Sequence, residues 1–170
     1  MKAAVSILFA TSLLAGAAHA QSQPPANVRD VMVRHWDDIG QKVIQMAEQF
    51  PEAKYDFKAT KDVRSFADVL RHVAFWNQYV AKTARGEKAD GSANELPKAQ
   101  YATKAKILEA LKSSMAEATA ELKKQPAAIS PKTVDLYTAF LGHSAEHYGQ
   151  LVVYYRLNGL VPPASRGGND

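Results

Sequence analysis

Apolar residues recur at intervals of three and four in four separate blocks of the chain, the spacing that gathers them on one face of an α-helix. The first block predicts a helix over Val28–Gln49, with Met32, Trp36, Ile39, Val43, Met46 and Phe50 as its stripe and Pro51 as its stop. The second predicts a helix over Phe66–Ala84. Ser65 is its N-cap, Asp68 favours the positive first turn, and Phe66, Val69, Leu70, Val73, Trp76 and Val80 form its buried face. The third runs over Lys104–Lys124 behind Thr103, with Ile107, Leu108, Leu111, Met115, Ala118 and Leu122 inward and Pro126 beyond its end. The fourth starts at Pro131, where Ser130 caps and proline suits the first turn. It runs to Asn158 and closes on Gly159 ahead of Pro162-Pro163. Residues Glu87–Lys98 read as a polar connection, and no alternating, strand-like pattern competes anywhere. Four amphipathic helices of about twenty residues predict an all-α four-helix bundle over residues 27–163, with a loose tail over 164–170.

The N-terminus follows a different pattern. Met1-Lys2 is a short positive start, Ala3–Ala18 carries no charge, and Ala18-His19-Ala20 has the small-residue form of a cleavage site. Residues 1–20 are therefore expected to be a secretory signal peptide, and 21–26, with Pro24-Pro25, a linker. The apolar stretch is short for a membrane span and no later segment is apolar enough, so no span is expected in the mature protein. An exported chain, periplasmic or secreted, would begin at Gln21.

Composition narrows the chemistry. The chain of 170 residues contains no cysteine, which removes disulfides, thiolate metal sites, iron–sulfur clusters and thiol nucleophiles together. Its net charge of +4, which falls to +3 without Lys2, is scattered rather than massed, so the basic stripe of a nucleic-acid binder is missing. Charged residues at 22% and hydrophobic residues at 46% suit one compact domain.

Candidate chemistry lies in four histidines that survive processing: His35, His72, His143 and His147. Projected at about 100° per residue, Leu136, Phe140, His143, His147, Gln150, Leu151 and Tyr154 share one arc about 100° wide. The sequence thus places His143 and His147 in the middle of the buried stripe of the fourth helix. One turn apart, their rings can converge on one ion; the alternative is a hydrogen-bonded pair of core histidines. His72 lies on the flank of the second helix, about 90° from its stripe on the side of Trp76 and Tyr79. There it is either a third ligand reaching towards an adjacent helix or a surface histidine. Asp68, one turn earlier, is a candidate to receive its other N–H, or else a solvated first-turn acid. Gln150 and Tyr154 share the histidine face and are candidates to line a pocket, or else core packing with a satisfied polar tip. His35, on a flank of the first helix, is not counted as a ligand. His143–His147 also reads H-x-x-E-H, a metalloprotease pattern, but only Asp170 follows as an acid, so that reading is rejected.

A histidine early in the second helix followed by an H-x-x-x-H pair in the fourth helix of a bundle resembles the DinB superfamily. The stretches Pro51–Lys58, Arg64–Val73 and Gly142–Leu151 carry the likeness, which spans about Asn27–Pro163. The resemblance implies a bundle holding a divalent metal, zinc or nickel, through His72, His143 and His147, with an open position for water or substrate. Relatives of known activity include thiol-cofactor-dependent transferases and isomerases. The expectation is a metal-dependent transferase or hydrolase on a small-molecule substrate; the alternative is a metal- or ligand-binding bundle without turnover. A homodimer is left open.

Overall fold

A computed structural model describes residues 27–167. The expected signal peptide and linker, residues 1–26, and the last three residues of the expected tail lie outside the described residues. The described chain is helical throughout its regular structure: α1 Val28–Gln49, α2 Phe66–Ala84, α3 Lys104–Lys124 and α4 Pro131–Leu157, joined by loops and two short 3-10 turns. None of these helices is long and apolar enough to cross a membrane.

Local chemistry sets the boundaries. The side chains of Asn27, Ser65, Thr103 and Ser130 each accept a hydrogen bond from the backbone N–H three residues on, satisfying a donor that the first helical turn leaves unpaired. Ser65 and Asp68 do so reciprocally, as a capping box. Gly159, at φ +70°, supplies the left-handed residue that ends α4.

The main packing contacts are α1 with α3, α1 with α4, α2 with α3 and α2 with α4. Going round the bundle the order is therefore α1, α3, α2, α4, so α1 and α2 are diagonal partners. The crossing between them is held by an aromatic plug. Phe50 stacks on Phe66 with ring centroids 3.8 Å apart, Tyr155 packs 5.0 Å from Phe50, and the buried Tyr55 hydroxyl donates to the Ala47 carbonyl. Gly40 lets α1 approach α3: a Cβ there would overlap the side chain of Met115.

Two expectations need correction. The buried residues of α4 are Tyr137, Ser144, Leu151, Tyr154 and Tyr155, so of the arc expected to be inward only Leu151 and Tyr154 are buried, and the histidines do not sit at its middle. Most of that row centres roughly 80° round the helix from the His143–His147 edge, which is only half-buried. The reason is that this core face is built from residues with polar ends. Tyr137 Oη donates to the Ala118 carbonyl at 2.7 Å and Tyr155 Oη to the Met46 carbonyl at 2.7 Å, so each ring is buried with its hydroxyl satisfied. Secondly, the segment after Pro163 is not loose as far as Arg166. Pro163–Ser165 form a 3-10 turn, and the Arg166 guanidinium donates to the Val161 carbonyl and to Gln49 on α1.

Candidate metal centre

His72 is the seventh residue of α2 and His143 and His147 lie one turn apart on α4, facing it across the α2–α4 contact. Their rings meet. Ring centroids are 4.9 Å apart for His72–His143, 4.7 Å for His72–His147 and 4.5 Å for His143–His147. One nitrogen from each ring lies within 4.8 Å of the others, and this is the group of three or more potential ligands among the described residues. His72 Nε2 and His143 Nε2 are 2.9 Å apart. Two imidazole nitrogens so close need either a proton or a cation between them, because their lone pairs otherwise repel.

Neighbours determine which nitrogens carry hydrogen. His72 Nδ1 lies 2.6 Å from the Asn94 carbonyl, which can only accept, so Nδ1 carries the proton and Nε2 is bare. A longer chain does the same for His147. The Tyr154 hydroxyl donates to the Arg64 carbonyl at 2.6 Å, so its oxygen is left to accept from the Gln150 amide nitrogen at 2.9 Å. Gln150 then turns its carbonyl oxygen towards His147 Nδ1, 3.0 Å away, and that nitrogen must be the donor. The polarity of the whole chain thus follows from one backbone carbonyl, and it leaves His147 Nε2 bare as well.

The rings are held neutral. Burial pushes His72 down to about 4 despite its hydrogen bond to Asn94, and burial followed by the two neighbouring imidazoles pushes His143 down to about 4. Burial also lowers His147, against the opposing pull of Gln150. Near neutral pH the cluster therefore offers uncharged nitrogen lone pairs, the form a metal ion requires. Three imidazoles with two of their outer nitrogens hydrogen-bonded fit a divalent metal ion. Such a donor set, with fewer than four protein ligands, is the pattern of metal sites that keep a position for water or substrate.

The other candidate residues fall into place as follows. Gln150 and Tyr154 form the chain behind His147. Asp68 does not reach His72: its carboxylate accepts from Ser65 and pairs with the buried Arg71, whose other arm donates to the Tyr101 carbonyl. Burial raises the Asp68 carboxyl and these hydrogen bonds outweigh it, so it stays ionised. The partner of His72 is instead the backbone of Asn94, a residue in the polar connection that periodicity does not single out. Asn94 has φ +59°, a left-handed conformation that asparagine tolerates better than most residues, and its side chain accepts from Trp76 Nε1 at 3.1 Å. Leu96, two residues on, is buried, so this connection packs down on α2 and covers His72. The turn residues Gly91-Ser92-Ala93-Asn94 were the only signal for it. His35 is exposed on α1 and Glu146 is exposed on α4, and neither belongs to the cluster.

The family model of the DinB superfamily matches residues 35–151, more than half of the chain, including all three clustered histidines. No curated protein matches the chain.

Proposed function

The chain belongs to the DinB superfamily, and from that membership together with the imidazole cluster we propose that it is an exported metal-dependent enzyme acting on a small molecule, a transferase or hydrolase. The observation that carries the reading is the convergence of three neutral imidazoles, one nitrogen of each within 4.8 Å of the others. His72, His143 and His147 are the residues that would hold the ion, zinc or nickel. When bound there, such an ion supplies a Lewis acid and lowers the pKa of a coordinated water or thiol.

The chain's own residues supply orientation. The Asn94 carbonyl and the Gln150 amide hold two rings in the tautomer that leaves Nε2 free, and Tyr154 fixes the Gln150 amide. Outer hydrogen bonds of this kind typically change metal affinity or activity 10- to 100-fold when removed. On one side of the cluster Trp76 and Phe140 are stacked with centroids 5.3 Å apart and lie within 6.1 Å of the His143 ring. They form an apolar wall that keeps bulk water from that edge of the centre and strengthens the electrostatics within it. Export is supported by the charge-free stretch and the Ala18-His19-Ala20 site at the start of the sequence.

The test is metal analysis of the protein recovered from the periplasmic or secreted fraction, beside the His143→Ala variant. A stoichiometric divalent metal that is lost in the variant is expected. Metal-free protein from a metal-replete culture, or equal metal in both, would contradict the reading.

A further inference from the structure

The groups that hold the histidine rings carry no charge. The three candidate ligands are neutral imidazoles, and the groups that hold their rings, the Asn94 carbonyl and the Gln150 amide, are neutral too. No carboxylate stands among them, so a divalent ion held there keeps its whole charge and becomes the largest charge in the site.

Beside the cluster opens a cleft of about 590 Å³, with Lys58, Lys61, Asp62, Arg64, Glu95 and Gln150 among the residues lining it. Gln150 joins cleft to cluster, since it is also the acceptor for His147. Asp68 on the cleft wall is neutralised by Arg71, and Glu95 by Arg64, which leaves Lys58 and Lys61 against Asp62. Arg64 is fixed at both ends. Its carbonyl accepts from Tyr154, and its Nε donates to Glu95 Oε1 at 2.6 Å. Its two Nη atoms make no hydrogen bond among the described residues, and its side chain is one-third exposed, at 34%.

We propose that Arg64 is the receptor for an oxyanion, a carboxylate or phosphate group, carried by the small molecule that this centre binds, with Lys58 and Lys61 adding supporting charge. The inference rests on the metal reading above. A guanidinium engaged only through Nε keeps two Nη donors in a rigid fork, the geometry that matches two oxygens of a carboxylate or phosphate. Glu95 holds the fork in place and competes with the ligand for its charge.

The Arg64–Glu95 pair makes the test sharp, because either substitution breaks the same ion pair. The full mature chain is loaded with cobalt(II), and its visible spectrum is titrated with acetate, inorganic phosphate and neutral acetamide. Circular dichroism checks the fold of each variant. Arg64→Gln is expected to weaken acetate or phosphate binding about tenfold or more, the scale of a lost charge-assisted hydrogen bond, with acetamide unaffected. Glu95→Gln is expected to strengthen anion binding several-fold. The anion with the larger loss identifies the oxyanion class. Equal anion affinity in the Arg64→Gln variant, or shifts of the same sign in both variants, would overturn the inference while leaving the metal centre standing. Failure of the unmodified chain to take up cobalt would overturn the metal reading and this inference with it.

Discussion

Lowering the pH should destabilise the metal-free protein through its histidines. His72 is only 5% exposed and burial pushes it down to about 4, whereas in the unfolded chain it titrates near the ordinary 6.5. Between those values the unfolded chain binds a proton that the folded chain refuses. Stability is therefore fully present above about pH 6.5, falls as pH drops, and levels off below about 4. From these two values the loss between pH 7.5 and pH 5 is about 2 kcal/mol for His72 alone. His143, also pushed to about 4, adds to it by less than the same amount, because protonating one ring changes the other. For a domain of this size, 2 kcal/mol corresponds to a fall of about 4–8 °C in melting temperature. The assay is thermal unfolding in chelator at pH 7.5, 6.5, 5.5 and 5.0, on the unmodified chain and on His72→Gln. The slope with pH, not the absolute stability, is the readout, so a general weakening by the substitution does not matter. A melting temperature flat between pH 7.5 and 5, or the same slope in His72→Gln, would refute the claim that these rings are held neutral by burial.

The remaining predictions use other parts of the molecule. Tyr154→Phe removes the hydroxyl that joins Gln150 to the Arg64 carbonyl; denaturant melts should show a loss of about 1 kcal/mol, and isothermal titration a fall in zinc affinity of about tenfold. Gly40→Ala places a methyl group against Met115 and should cost about 1–3 kcal/mol in the same melts, with much of it restored in the Gly40→Ala, Met115→Ala double variant. At pH 7.5 zinc at a hundredfold excess over its dissociation constant should stabilise by about 2.7 kcal/mol, and chelation should reverse this without loss of helical circular dichroism. N-terminal sequencing of the exported protein should begin at Gln21; recovery of intact Met1 from membranes would contradict cleavage.

The helices were legible because each carries its own punctuation. Ser65, Thr103 and Ser130 cap where a hydroxyl was expected to, Pro51 and Gly159 stop where they were expected to, and the starts of all four helices agree with the apolar periodicity. The inward face of α4 was less legible, because apolar periodicity does not distinguish a tyrosine whose hydroxyl meets a carbonyl from one at the surface. Tyr137 and Tyr155 are buried with their hydroxyls paired to α3 and α1, and Ser144 lies between them, so the core ran along a face that looked polar. At the site, the i, i+4 spacing of His143 and His147 shows in the chain itself. The partner of His72 does not: a backbone carbonyl in a loop leaves no mark beyond the turn residues that bend it. Asp68, the conspicuous acid one turn from His72, is taken up by its own helix end and by Arg71.

The central claim is that His72, His143 and His147 act together as one metal site. The most direct measurement is equilibrium titration of the metal-free mature chain with zinc at pH 7.5, on the unmodified protein and on His72→Ala, His143→Ala, His147→Ala and His35→Ala. The account predicts one ion per chain for the unmodified protein and for His35→Ala, and a sharp loss of affinity in each of the other three. Equal binding in all five proteins, or loss in His35→Ala alone, would contradict it.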